Sequence, residues 1–136
     1  MRLVLDSNVI IAAFAVRGLC HALFEFCLEG HEIILCEQII EEVKRNLLSK
    51  IKVPSSVVDE IESYLRDSTL IMKPVPVENG VFKDESDLPV LGVASASGSS
   101  YIITGDKTLL SLKKYKDIYM VSPRSFWEIA RGKGNR

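Results

Sequence analysis

Two short apolar segments of this chain each run into an aspartate, one near the start and one near the end. The first is Leu3–Asp6 and the second is Tyr101–Asp106. Continuous runs rich in Val, Ile and Leu are typical of strands buried on both faces, as in a parallel sheet covered by helices. Each aspartate is therefore expected at the carboxyl end of its strand, where open α/β sheets bind their ligands.

Apolar segments of strand length alternate with segments of helical periodicity along the whole chain. The predicted strands cover residues 2–6, 32–35, 69–72, 101–104 and 118–121. The helix after the loop at 77–85 is predicted to be capped by Ser86 and to end at Gly98. This alternation predicts one α/β domain over residues 1–136, with three α/β/α layers and a mainly parallel sheet.

Composition bounds the class of protein. The 136 residues are 47% hydrophobic, which suits one globular domain with a real core. No apolar stretch approaches the ~20 residues that span a bilayer, and the N-terminus becomes acidic too early for a signal peptide. We therefore expect a cytoplasmic protein without a membrane partner. Cys20, Cys27 and Cys36 do not have the spacing of a zinc or redox site, and a buried free thiol is the expected state of Cys27.

Basic residues concentrate at the C-terminal end. Residues 1–104 hold nine Lys/Arg and fifteen Asp/Glu, whereas residues 105–136 hold eight and three. This asymmetry indicates a polyanionic partner, although lysines that only solvate a surface give the same pattern. The candidate contacts to a nucleic-acid backbone are Lys107, Lys113, Lys114 and Arg124.

Two further acidic segments can reach the edge that carries Asp6 and Asp106. Glu42 lies at the border of the apolar face of its predicted helix. Asp87 shares a helix face with Leu91, where a carboxylate without a partner is costly. Each acid also has a simpler interpretation, as a turn residue, a helix cap or a solvated side chain.

Four converging acids favour a divalent cation. Oxygen ligands suit Mg²⁺ or Mn²⁺ rather than zinc, and such an ion can acidify and orient a water beside a phosphodiester. Competing motifs are missing, since the chain has no Walker loop, no Gly-x-Gly-x-x-Gly after a strand and no nucleophile elbow. His21 and His31 are interpreted as surface or helix-end residues.

Four segments in this order resemble the PIN domain family. They are Leu3–Ile10, Glu41–Val43, Asp84–Leu91 and Ile103–Leu110. The closest likeness is to the stand-alone prokaryotic branch of VapC-like toxins from toxin–antitoxin pairs, and it covers nearly the whole chain.

The resemblance implies a fold and a set of functional residues. The family's four acids fall on Asp6, Glu42, Asp87 and Asp106. Asn8 and Thr104 match polar positions beside the first and fourth acids. The implied fold is a five-stranded parallel sheet in the order 3-2-1-4-5. The implied activity is that of a Mg²⁺- or Mn²⁺-dependent ribonuclease, commonly a homodimer.

The chain departs from the family pattern at two places. Asp84-Glu85-Ser86-Asp87 stands where this branch often has Asp-Pro-Asp-Asp, and Ser7 stands where threonine is commoner. The first change removes one acid and leaves the number of metal ions open. Asp84 is expected to act as an outer carboxylate.

The sequence thus predicts a metal-dependent endoribonuclease, with an RNA substrate and an antitoxin protein as partners. One alternative is a nucleic-acid-binding or antitoxin-binding module with little or no turnover. Another is a DNA-directed nuclease or a phosphatase that uses the same acids, because no sequence signature separates the 2′-hydroxyl of RNA from DNA.

Overall fold

The computed structural model describes residues 1–78 and 85–132, which form a sheet flanked by helices. The strands in this part of the chain are β1 (Arg2–Leu5), β2 (Glu32–Leu35), β3 (Leu70–Ile71), β4 (Tyr101–Ile103), β5 (Lys114–Tyr115) and β6 (Ile118–Val121). The helices are α1 (Ser7–Ala15), α2 (Leu19–Gly30), α3 (Glu37–Ser49), α4 (Ser55–Ser68), α5 (Leu88–Ser97), α6 (Lys107–Leu112) and α7 (Pro123–Ala130). A 3₁₀ turn, Glu85–Asp87, leads into α5.

The six strands of the described residues form one sheet in the order β3-β2-β1-β4-β6-β5. All pairs are parallel except β5 with β6, which is antiparallel. The predicted fifth strand is β6, so the predicted order 3-2-1-4-5 is confirmed. The prediction of five strands was wrong because β5 was missed. Its two residues are too few to show an alternating pattern, and they lie at the sheet edge.

The strand residues explain why helices cover both faces of the sheet. Leu3, Val4 and Leu5 all have no exposed surface. Successive side chains of a strand point to opposite faces, so both faces of β1 are covered. This confirms the three-layer arrangement that the apolar runs predict.

The sequence predicted the end of α5 correctly but not its start. Gly98 ends the helix with a φ of 66°, the left-handed conformation that favours glycine. Ser86 was predicted to cap the start, but that prediction was wrong. Asp87 holds the N-cap position, because the 3₁₀ turn that contains Ser86 precedes the helix.

Among the described residues, no single helix is long and apolar enough to cross a bilayer. Helices α1 and α2 reach the required length and apolarity only together, and the chain bends by 107° between them.

Gly92 allows a proline-flanked segment to pack directly on α5. A Cβ atom at this position would lie 2.5 Å from the carbonyl oxygen of Val75 and 3.0 Å from Cβ of Pro74. The amide of Val75 also donates to the carbonyl oxygen of Gly92 at 3.2 Å. The close approach of the two backbones therefore depends on the missing side chain.

We expect Gly92→Ala to destabilise the protein by about 1–3 kcal/mol through overpacking. This sign is opposite to that of intrinsic helix propensity, which favours alanine over glycine by about 1 kcal/mol. The matched control is Gly30→Ala, because Gly30 also lies in a helix and nothing stands within 4 Å of its Cβ position. Urea denaturation measures both variants. Equal stability of Gly92→Ala and the wild type would show that the segment moves aside freely.

Candidate functional site

Two neighbouring strands bring Asp6 and Asp106 to the same edge of the sheet. Strands β1 and β4 are parallel, with Leu5 opposite Ile103. The amide of Asp6 then donates to the carbonyl oxygen of Ile103 at 3.0 Å. Both strands end at this carboxyl edge of the sheet, as the two apolar runs predicted.

Asp6 is a buried carboxylate, with only 6% of its surface exposed. It caps the N-terminus of α1, and its Oδ1 accepts a hydrogen bond from the amide of Ser7 at 2.8 Å. Its Oδ2 accepts a bond from the hydroxyl of Thr104 at 2.7 Å. Asp6 therefore has the role of helix cap that its simpler interpretation gave it, and it is also a buried acid at the carboxyl edge.

Thr104 connects the two aspartates. It is fully buried, and its Oγ1 donates to Asp6 while accepting a bond from the amide of Asp106 at 2.9 Å. Asp106 is half-buried and caps α6, with Oδ1 accepting from the amide of Thr108 at 2.8 Å. One hydroxyl therefore holds the carboxylate of Asp6 and the backbone of Asp106.

The surroundings of Asp6 disfavour its negative charge. Burial is the largest cause that raises the pKa of Asp6, and the charges of Glu42 and Asp106 raise it further. The hydrogen bonds from Thr104 and Ser7 lower this pKa without cancelling the increase. Glu42 and Asp106 are thus close enough to Asp6 to act on its charge. A bound cation would stabilise the ionised carboxylate of Asp6.

Glu42 lies in α3 and lines a cleft beside this edge. The cleft has a volume of about 480 Å³ and is lined by Glu37, Gln38, Glu41, Glu42, Arg45, Ser86 and Pro89. Glu42 is half-buried there, at the border predicted from the helical pattern. One wall is thus α3, and the other is formed by the residues on either side of Asp87.

Asp87 lies at the same end of the sheet as the other three acids. Arg2, at the amino end of β1, donates through its guanidinium to the carbonyl oxygen of Ser97 at 3.0 Å, so α5 ends at the amino edge. The start of α5, where half-buried Asp87 stands, is therefore directed towards the carboxyl edge. Asp84 lies outside the described residues.

The acids are not gathered as tightly as the sequence suggested. Within residues 1–78 and 85–132, no group of three or more His, Cys, Asp or Glu side chains is close enough to hold a metal ion. The donor set still suits Mg²⁺, which proteins commonly bind through one or two carboxylates and several waters. Asp6 and Asp106, joined by Thr104, supply two carboxylates of that kind.

The remaining predicted residues are the four candidate cations and Asn8. Lys107 opens α6 and Arg124 lies in the first turn of α7, so both are exposed near the carboxyl ends of β4 and β6. Lys113 and Lys114 are also exposed but lie farther along the sheet edge, where Lys114 pairs with Tyr119. Asn8 is exposed and makes no side-chain hydrogen bond within the described part of the chain.

Sequence reasoning missed Arg45 and Gln38, which line the cleft together with Glu42. The three-residue spacing from Glu42 to Arg45 was the available signal, because residues i and i+3 are neighbours on a helix. The histidines and Cys27, which were not predicted as site residues, have structural positions. His31 ends α2, His21 contacts the carbonyl oxygen of Ala13, and Cys27 is a buried free thiol as predicted.

Comparison with known proteins supports one family. A family model described as PIN domain matches residues 2–108. No curated protein matches the chain. Among solved structures, the crystal structure of VapBC2 from Rickettsia felis bound to a DNA fragment from their promoter is similar, with a TM-score of 0.62 and 11% identity. The match covers 90% of this chain and 98% of that chain, and at this identity it is a likeness of fold.

Proposed function

The chain belongs to the PIN domain family, and from this premise we propose that it is a metal-dependent endoribonuclease. Its site would be the carboxyl edge that carries Asp6, Glu42, Asp87 and Asp106. The observation that carries the proposal is the buried carboxylate of Asp6, whose charge is opposed by its burial and by Glu42 and Asp106. A protein gains little from such a group unless a cation or a reaction uses it.

Asp6 and Asp106 would hold a Mg²⁺ or Mn²⁺ ion together with waters. When bound, such an ion neutralises the carboxylates and acidifies a water beside the phosphodiester. The hydroxyl of Thr104 keeps Oδ2 of Asp6 in place, as groups that orient ligands do. Glu42 and Asp87 would complete the acidic set and position the attacking water, with Asn8 and Asp84 as outer polar groups.

The cations around the edge would attract the RNA backbone. Lys107 and Arg124, both exposed, would act near the acids, and Lys113 and Lys114 would extend the basic surface. Binding through such residues weakens as salt rises, because each contact to a phosphate releases counterions.

We propose a biological role on the basis of the family. The chain would be the toxin of a toxin–antitoxin pair that acts in the cytoplasm as a homodimer and is restrained by an antitoxin protein. The solved structure that it resembles contains VapBC2 with promoter DNA, which supports an antitoxin partner.

The activity is tested on end-labelled single-stranded RNA and DNA of the same sequence. We expect cleavage of the RNA with Mg²⁺ or Mn²⁺ and none with EDTA. Asp106→Asn should abolish cleavage, because it removes one of the two linked carboxylates. The matched control is Asp117→Asn, an exposed aspartate in the turn between β5 and β6. Cleavage that persists in EDTA would contradict the proposal, and cleavage of DNA alone would favour the DNA-directed alternative.

One observation favours a second candidate, a binding module with little or no turnover. The described residues hold no preassembled trio of metal ligands. Metal addition separates the two candidates, since an ion that binds only the native state raises its melting temperature. No shift at millimolar Mg²⁺ and Mn²⁺, together with no cleavage, would favour the binding module.

A further inference from the structure

The cleft beside Glu42 is large enough to hold part of a substrate. Its volume of about 480 Å³ falls in the range of ligand sites. Glu42 places one end of this cleft next to the acids, because its charge acts on Asp6. A strand that reaches Asp6 and Asp106 therefore has the cleft as its neighbouring space.

Two of the acids that line the cleft already have cationic partners. The carboxylate of Glu37 accepts two hydrogen bonds from the guanidinium of Arg66, at 2.7 and 2.8 Å. Glu41 forms an ion pair with Lys44 at 3.9 Å. These pairings reduce the negative charge that a phosphate would meet in the cleft.

Arg45 is the cation that lines the cleft itself. It lies one helical turn beyond Glu42 and is exposed. It forms no ion pair with any residue in 1–78 or 85–132, whereas Lys44 and Arg66 on the same helix pair are both engaged. The donors of its planar guanidinium remain available, in a geometry that matches the oxygens of a phosphate.

We propose that Arg45 binds a phosphate of the RNA strand that flanks the phosphate at Asp6 and Asp106, with the cleft as its subsite. This inference rests on the proposed function. A flanking contact of this kind offsets the repulsion between the acids and the polyanionic strand, and it fixes which phosphodiester lies at the acids. Arg45 is thus a binding residue that positions the strand.

The test measures the binding of a short, fluorescently labelled single-stranded RNA by anisotropy in EDTA, where no cleavage occurs. We expect Arg45→Gln to weaken binding about tenfold, the effect of one lost charge-assisted contact. The slope of log K against log salt should fall by about 0.7, the value for one phosphate contact to a single strand. Arg45→Lys should retain the slope but lose affinity, because a lysine contacts phosphate as a point charge.

The matched control is Arg17→Gln, which removes the same charge from an exposed residue beyond the far end of α1. If both glutamine variants weaken binding equally, the effect is general charge and the subsite is wrong. The subsite is also wrong if Arg45→Gln binds like the wild type, or if the wild type does not bind RNA. In cleavage assays Arg45→Gln should raise KM with little change in kcat. If neither the wild type nor any variant cleaves RNA, but Arg45→Gln still weakens RNA binding, the nuclease proposal is overturned and the subsite stands.

Discussion

Asp6→Asn is expected to reduce RNA cleavage by about a thousandfold, since a bound metal ion contributes several kcal/mol to the transition state. An asparagine side chain retains an oxygen that can accept the bond from the amide of Ser7, so the cap of α1 should survive. What it removes is the negative charge that would hold the cation. The measurement is the initial rate on single-stranded RNA with Mn²⁺.

The same substitution is expected to change how the stability of the metal-free protein depends on pH. The pKa of Asp6 is raised in the folded state, mainly by burial, so ionised Asp6 destabilises the fold. The stability that this raised pKa gives is fully present below the ordinary aspartate value of 3.8 and is lost as pH rises through the folded value. In EDTA the wild type should therefore lose stability relative to Asp6→Asn as pH rises from below 3.8 to 7, and melting temperatures of the two proteins at both pH values measure this loss.

Metal should stabilise the wild type and not the variant. Millimolar Mg²⁺ or Mn²⁺ should raise the melting temperature of the wild type and leave that of Asp6→Asn unchanged. The control is Asp117→Asn, which changes an exposed aspartate and should follow the wild type in every condition. If Asp6→Asn cleaves RNA as fast as the wild type, the carboxylate has no catalytic role.

Thr104→Val is expected to lower both the stability of the protein and its activity. Valine has the same shape but lacks the hydroxyl, so the buried Oδ2 of Asp6 loses its donor and the amide of Asp106 loses its acceptor. Loss of partners for buried polar groups costs about 1–3 kcal/mol. Loss of a group that orients a metal-binding carboxylate lowers activity by about 10–100-fold. Urea denaturation and cleavage rates measure the two effects, with exposed Thr108→Val as the matched control.

The pH profile gives Thr104→Val a second measurement. The Thr104 hydrogen bond lowers the pKa of Asp6, so its loss raises that pKa further. Cleavage needs ionised Asp6 in our mechanism, and the acidic limb of the rate profile should therefore move to higher pH. An unchanged limb with a lower plateau would show that Thr104 supports the fold alone.

The sequence predicted the parts of the site that depend on strands. Asp6 and Asp106 follow continuous apolar runs, and burial on both faces allows few arrangements other than a parallel sheet. Their meeting at one edge required β1 and β4 to be neighbours, which the family resemblance supplied and the structure confirmed. The family resemblance also supplied Thr104, as a polar position beside the fourth acid.

Features that depend on side-chain direction or on very short elements were missed. The N-cap of α5 and the 3₁₀ turn before it are choices between adjacent residues that local composition does not separate. The cleft at Arg45 exists only after α3 packs against α5. The positions of the four acids at strand ends and on helix faces predicted that they converge, but such positions do not state how closely acids approach before an ion is present.

Both outer strands of the sheet are very short. β3 and β5 each contain two residues, and they close the two ends of the six-stranded order. So little unpaired backbone offers almost no template on which another chain could extend the sheet. Edge-to-edge growth of this protein into fibres is therefore disfavoured by the architecture itself, and we expect any self-association to use surfaces other than the two sheet edges.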